Sequence, residues 1–340
     1  MRTFLLIFLL TVLPVAESLA VAVDVYTGEA VVATKEAKER DQALSLALMH
    51  VLQKISGLRS FEEFPLVEPA LAQAPAMVVS FYYQSVESTL ADGSVSQELR
   101  LVAKFSANAV DELVRTLGLP LWPVEREPVE IWIVVDDGLD RRIQPVEFAY
   151  AWQTMSDVAA RRGLPVNWPA PDEEGMYPID TQLLWGGYTE DLGIAPGKGV
   201  MIMAARREGV EWGVRSNLTY GNQSWTWRVQ DIDLQNALVE SLAQAVDQVA
   251  ASRTISASDQ GTWMHELTIT GLRNAEDYRR CLSYLQGLGL VTKVSVVSAQ
   301  PGRATFRLQL SALPSYLEQT LLGGKFLESD EAEHVYYLSQ

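Results

Sequence analysis

The stretch at residues 117–138, LGLPLWPVEREPVEIWIVVDDG, constrains the fold of this chain more than any other. Gly118 and Pro120 stop a helix, and Trp122 and Pro123 make a stiff, amphipathic link. Residues 129–135 then form a nearly unbroken apolar run that Asp136, Asp137 and Gly138 end abruptly. A short apolar run between turn signals predicts a strand buried on both faces. Ile131, Ile133 and Val135 share one face of that strand, and Trp132 and Val134 share the other. Such a strand needs cover on each side. That cover is expected from helices or loops, and the apolar stripes of residues 145–162 and 232–251 make these two helices the candidates. The division of the chain also follows, with one unit before Trp122 and others after it.

With 340 residues, 48% of them hydrophobic and 21% charged, the chain has material for two or three cores. It opens with MRTFLLIFLLTVLPVAESLA, where Arg2 precedes an apolar run at 4–15 and small residues stand at Ser18 and Ala20. This pattern predicts a signal peptide at 1–20 and an exported, periplasmic protein. A stray hydrophobic strand and an uncleaved anchor are the alternatives. Cys281 is the only cysteine, so no intramolecular disulfide is expected. No later apolar run reaches transmembrane length, so no spanning segment is expected after cleavage. The formal charge of -16 repels nucleic acid and anionic headgroups, and no nucleic-acid partner is expected.

The periodicities predict an α+β protein made of three small α/β-sandwich units. The first, 21–122, reads strand, helix, strand, strand, helix, with its clearest helix at 35–56 and a hairpin turned at Ala91-Asp92-Gly93-Ser94. The second, 123–255, starts with the buried strand, continues into the helix at 145–162, adds three short strands between 200 and 230, and ends in the helix at 232–251. Residues 252–261 read as a polar linker. The third, 262–340, has the βαββα order of a ferredoxin-like sandwich.

The helical segment RDQALSLALMHVLQKISGL, the strand around FYYQ, and LGLPLWPVEREPVEIWIVVDD together resemble a family of exported gammaproteobacterial proteins, domain-of-unknown-function family two thousand and sixty-six. The resemblance spans residues 21–253 and implies an envelope protein with no catalytic residue to carry over. More distantly, the element order of the first two units is similar to that of periplasmic accessory proteins for flagellar ring assembly and peptidoglycan synthase activation.

Few residues suggest chemistry. Asp136 and Asp137 end a buried strand, where open α/β sheets place site residues. The pair could share a proton or bind a divalent ion, or simply form a polar turn with Gly138. Residues 196–199 read Pro-Gly-Lys-Gly, but the spacing and position fail the phosphate-loop pattern, leaving a turn. Trp225 and Trp227 share one strand face, and Trp212 lies in the strand before. Exposed, these rings would stack on sugars; otherwise they form the core face under the helix at 232–251. His50, His265 and His334 show no metal-ligand spacing, so no metal site and no cofactor are expected. Cys281 lies on an apolar helix stripe, as an inert buried thiol does.

These observations converge on a non-enzymatic exported binding or assembly module of the bacterial cell envelope, with an envelope protein or glycan as partner. The binding candidates are Asp136, Asp137, Trp212, Trp225 and Trp227. The alternatives are a carboxylate-based hydrolase using Asp136 and Asp137, and a glycan-binding module using the three tryptophans.

Overall fold

The structure, a computed structural model, describes residues 21–89, 94–189, 199–323, 326–329 and 334–338. The leader expected at 1–20, the turn residues Ala91 to Gly93 and most of the 196–199 segment lie outside the described residues. The fold is α+β, with helices packed on three larger sheets. Among the described residues, no helix is long and apolar enough to cross a membrane.

The first sheet contains β2 (Thr27–Val32), β3 (Val78–Thr89) and β4 (Val95–Phe105) in the order β2-β4-β3, while β1 (Val21–Ala22) pairs elsewhere. Helix α1 (Ala37–Ser56) lies on it through Leu44, Ala47, Leu48, Val51, Leu52 and Ile55, the stripe that the 3.6-residue period predicts. Gly28 makes this close packing possible, since a Cβ there would overlap the carbonyl of Ala47. Short helices α2 (Val67–Leu71) and α3 (Ala74–Met77) lie in the connection between α1 and β3, and α4 (Ala107–Leu117) closes the core with Val110, Leu113 and Val114.

The middle sheet is built around β6 (Val129–Asp136), which follows β5 (Glu125–Arg126), the partner of β1. Strand β6 pairs in parallel with β9 (Gly199–Glu208) along its whole length. Its other edge is covered in pieces by β7 (Arg141–Ile143) and β8 (Val166–Asn167). Antiparallel strands β10 (Glu211–Tyr220) and β11 (Gln223–Asp231) extend the sheet beyond β9. As expected, β6 is buried on both faces, with Glu130 alone half-buried.

Helices cover one face of β6, and a short helix with a loop covers the other. Helices α5 (Ala149–Arg162) and α7 (Leu234–Arg253) lie on the same face, over Ile131, Ile133 and Val135. Trp132 and Val134 instead meet the short helix α6 (Thr181–Gly186) and the loop that carries Tyr177 and Ile179. The sheet's width gives the physical reason. Strands about 4.8 Å apart make a face broad enough for two helices packed 8–10 Å apart. The small residues Ala151 and Ala159 let α5 come in close beside α7. The opposite face has a much smaller apolar patch, and one turn and a half of helix seals it.

The third sheet has the order β13-β14-β12-β16-β15, from β12 (Gln260–Leu272), β13 (Val291–Gln300), β14 (Gly302–Ala312), β15 (Leu327–Ser329) and β16 (Val335–Leu338). Helices α8 (Ala275–Gly287) and α9 (Pro314–Gly323) supply Cys281, Leu285, Leu317 and Leu321 to its core. The ferredoxin-like expectation meets a departure at the end. Strand β16 runs parallel to β12, and β15 lies outside it, antiparallel.

Residues 252–261 are not a free linker. Ile255 is fully buried and exchanges backbone hydrogen bonds with Leu121, at 2.9 and 2.7 Å. The Gln260 side chain donates to the Leu119 carbonyl at 3.0 Å, and Glu125 accepts from the Gly289 N–H at 2.7 Å. The stretch at 117–138 thus touches all three sheets.

Its Arg126 is the hub of the first junction. The side chain is buried and donates only to backbone carbonyls: Pro123 at 2.9 Å, Gly163 at 2.6 Å, Lys54 at 2.7 Å and Trp122 at 3.2 Å. The guanidinium also sits 3.7 Å from the centre of the Trp122 ring. Lys54 and Gly163 lie at the C-terminal ends of α1 and α5, where unpaired carbonyls carry the negative pole of each helix. Arg126 caps both ends at once. Burial pushes its pKa down to about 9, with Tyr220 and Glu125 opposing, so the group stays charged at neutral pH. Gly57 ends α1 at φ +72, and a Cβ there would come within 2.6 Å of the Ala250 Cβ. Arg162 completes the seam by donating to the Gly57 carbonyl at 3.0 Å and to Asp247 at 2.7 Å.

Candidate functional site

The site grows from the C-terminal rim of β6. Asp136 is the last residue of the strand, and the turn that follows carries Asp137, Gly138 and the exposed Leu139. Both carboxylates bind the turn itself. Asp136 accepts from the Gly138 N–H at 3.1 Å, and Asp137 from the Leu139 N–H at 3.0 Å. Their remaining oxygens face arginines. Asp136 pairs with Arg141 at 3.2 Å and Arg206 at 3.3 Å, and Asp137 pairs with Arg142 at 2.9 Å. Arg142 also holds Asp140 at 3.0 Å and Glu147 at 2.5 Å. The register explains the cluster: Asp136 lies opposite Arg141 on β7 and opposite Arg206 on β9.

The electrostatics follow from these contacts. Partial burial works against the Asp136 charge, but the Gly138 N–H, Arg141 and Arg206 outweigh it and hold its pKa below the ordinary carboxylate value. Asp137 is lowered too, first by the Leu139 N–H, then by the Asp140 N–H and Arg142 against slight burial. A general acid needs a raised pKa, and a shared proton needs two carboxylates facing each other. Here the two carboxylates turn to different arginines, Asp136 to Arg141 and Arg206 and Asp137 to Arg142. Trp185 lies beneath, with Arg141 4.3 Å and Arg206 5.6 Å from its ring centre.

Beside the rim an open groove of about 740 Å³ runs between the segment 141–149 and the loop 171–181. Ile143, Pro145, Val146, Trp152, Met176 and Tyr177 give it an apolar floor and edge, while Arg141, Arg142 and Glu147 stand at one end. Val146 and Met176 are among the most exposed apolar side chains described, at 84% and 63%. Gln144 organises the floor. It adopts φ +42, a left-handed conformation that costs a non-glycine residue about 1–3 kcal/mol. In return its N–H donates to the Ile133 carbonyl at 2.9 Å and its Nε2 to the Ile131 carbonyl at 3.1 Å. These bonds satisfy the edge of β6 between its two short partners. The Tyr177 hydroxyl donates to Gln144 Oε1 at 3.0 Å, tying the far wall to the floor. Nothing local in the sequence marks Gln144 or Tyr177 as wall residues.

The structure does not bring the tryptophans to the rim. Trp212, Trp225 and Trp227 face α7, with Trp212 in the core and the other two half-buried against it. Trp227 Nε1 donates to Ser241 on α7 at 3.0 Å, and Trp212 meets Phe148 edge to face at 6.0 Å. A sugar platform needs an open ring face, and α7 takes that place. Cys281 is fully buried, and burial raises its thiol pKa to about 11, consistent with an inert thiol.

The histidine spacing fits no metal pattern, and ordinary surface or half-buried roles were expected of all three. Folding instead places His265, Glu318 and His334 together, with potential ligand atoms all within 4.8 Å. Sequence spacing misses this set because its members come from a strand, a helix and the start of another strand. His50 stays elsewhere, against the Glu29 carbonyl at 2.7 Å.

Residues 20–123 match a family described as Domain of unknown function (DUF8605). This agrees with the expectation of an uncharacterised family and assigns neither an activity nor a site residue. No curated protein matches the chain. A solved structure titled "Crystal structure of uncharacterized protein" aligns with 37% of this chain and 86% of its own at 12% identity and a TM-score of 0.16. A likeness at that score carries no argument about fold or function.

Proposed function

We propose that this chain is a non-enzymatic binding module of the bacterial cell envelope, exported behind its N-terminal leader, and that it holds an apolar segment of an envelope protein in the groove beside β7. In this reading the three units at 21–122, 123–255 and 262–340 are carried on the shared stretch at 117–138. The leader pattern, the acidic charge and the resemblance to exported gammaproteobacterial proteins support the location. The observation that carries the binding role is the groove with its exposed rim of Val146 and Met176. Exposed apolar side chains bordering a concavity are a common mark of a protein contact. Hydrolysis by Asp136 and Asp137 is the weaker reading, because both carboxylates are already bonded to arginines and turn N–H groups. Glycan binding by the tryptophans is weaker still, because α7 covers their rings.

Photo-crosslinking in intact cells tests this. A photoreactive residue at Val146 or Met176 is expected to capture one envelope protein, while the same probe at exposed Val210 on the far hairpin should not. Equal capture from all three positions, or none from the groove, would overturn the assignment. An Asp136→Asn variant that folds normally but abolishes the cellular phenotype would move the case toward chemistry.

A further inference from the structure

The third sheet carries a cluster that the groove does not use. His265 lies on the central strand β12, Glu318 on α9, and His334 at the threshold of β16. The two imidazole rings meet edge to face with centres 4.7 Å apart, and His334 Nδ1 lies 3.4 Å from Glu318 Oε1. We propose that His265, Glu318 and His334 form a binding site for a divalent transition-metal ion of the zinc class, which fastens the C-terminal strand to the sheet.

Three observations carry this. First, the donor set is two imidazoles and one carboxylate, a combination that zinc accepts, leaving its fourth position to water. Second, His265 is 7% exposed, and its Nε2 is buried without a hydrogen-bond partner in the structure. A buried polar nitrogen left without a partner is destabilising, and native proteins seldom tolerate one without a reason. Third, the backbone fixes the outer ligand. His334 adopts φ +62, a left-handed conformation that only a few per cent of non-glycine residues show, and its carbonyl accepts from the Thr268 N–H at 3.0 Å. Residue 334 is thereby anchored beside β12, within reach of His265.

The distances suit an ion after small side-chain shifts. Tetrahedral ligands about 2.1 Å from a metal lie about 3.4 Å from one another. His334 and Glu318 already have that separation, and every pair falls within 4.8 Å. Glu318 and His334 are both exposed enough to admit water and the ion, with side chains 38% and 42% accessible. The ion would join three elements that are remote in sequence. It would hold the short β16, whose ladder to β12 spans only Thr268 to Thr270. Binding the folded state alone stabilises it by mass action.

The experiment uses the full chain without an affinity tag, stripped with a chelator and titrated with zinc chloride by calorimetry, followed by thermal melts with and without the ion. One zinc per chain and a raised Tm are expected. His334→Ala and Glu318→Gln should each weaken binding by at least about tenfold and remove the Tm gain. Neither side chain is buried, so these variants should fold, and circular dichroism checks that each has. If one fails to fold, the other decides. His50→Ala should bind as the parent does. Cobalt substitution should give the visible absorption of a tetrahedral nitrogen and oxygen site. A parent chain that takes up no zinc, or a His334→Ala and Glu318→Gln pair with unchanged affinity, would overturn the site.

Discussion

The seam between the first two sheets and the rim of β6 both depend on arginine, and they use it in opposite ways. At the seam, Arg126 is buried and faces no carboxylate; its four acceptors are backbone carbonyls, two of them at helix C-terminal ends. At the rim, Arg141, Arg142 and Arg206 pair with Asp136, Asp137, Asp140 and Glu147; Asp136 itself is buried, but the arginines and the other three carboxylates reach water. Exposed ion pairs contribute little, because water competes for both charges. A buried donor has no such substitute, and every carbonyl it leaves behind stays unpaired. The same side chain is therefore a structural joint in one place and an adjustable, solvated surface in the other. A binding surface belongs on the second kind of region, where side chains can re-pair when a partner arrives.

The contrast can be tested along the stretch from Arg126 to Asp137, which runs from the seam through β6 to the rim. Ile133→Asp puts a carboxylate three residues before Asp136, inside the core shared with α5 and α7. It should cost several kcal/mol and could prevent folding altogether, as chemical denaturation would show. A variant as stable as the parent would mean that the strand is not interior. Arg126→Met keeps the length and removes the donors. It should cost on the order of 3 kcal/mol, because the carbonyls of Lys54, Trp122, Pro123 and Gly163 lose a buried partner. An unchanged melting temperature would show that water reaches the seam and that the contrast with the rim is false.

At the rim, Asp137→Ala should leave thermal stability unchanged within error, since its partners Arg142, Leu139 N–H and Asp140 N–H all have access to water. A marked loss in the melt would place the turn among the structural joints. The smallest effect is in acid. The pKa values of Asp136 and Asp137 are lower in the folded chain than the ordinary value near 4. Their contribution is thus fully present above about pH 4 and is lost as pH falls through the folded values. Comparing denaturation midpoints of the parent and the Asp136→Asn, Asp137→Asn double variant should show curves that run parallel above about pH 4. The curves should converge below that pH. Divergence near neutrality would mean that another group, coupled to the pair, titrates there.

Much of the architecture was legible one segment at a time. The period of Leu44, Ala47, Leu48, Val51, Leu52 and Ile55 announced α1, and the apolar run at 129–135 announced β6. The hairpins of the middle sheet turn at Gly209 and Gly221, both of which adopt positive φ, the conformation that glycine takes without strain. Asp136 and Asp137 were rightly expected at a strand end. Their arginine partners were missed, because Arg206 reaches Asp136 only through parallel pairing with a distant strand. The tryptophans could be read two ways from strand alternation, which says that side chains share a face but not what covers that face.

The sequence alone determined the long helices and the buried strand β6, because periodicity and turn residues act over a few neighbours, whereas short elements such as α2, α3, β7 and β8 carry too few residues to show a period. Tertiary structure decided the rest. It placed α5 and α7 on one face, since the width of the sheet, set by strand pairing, governs how many helices fit. It buried Arg126 against the ends of two helices that lie on either side of it in the chain. It also brought His265, Glu318 and His334 together, a contact that no local spacing encodes, because three separate elements must fold before their side chains can meet.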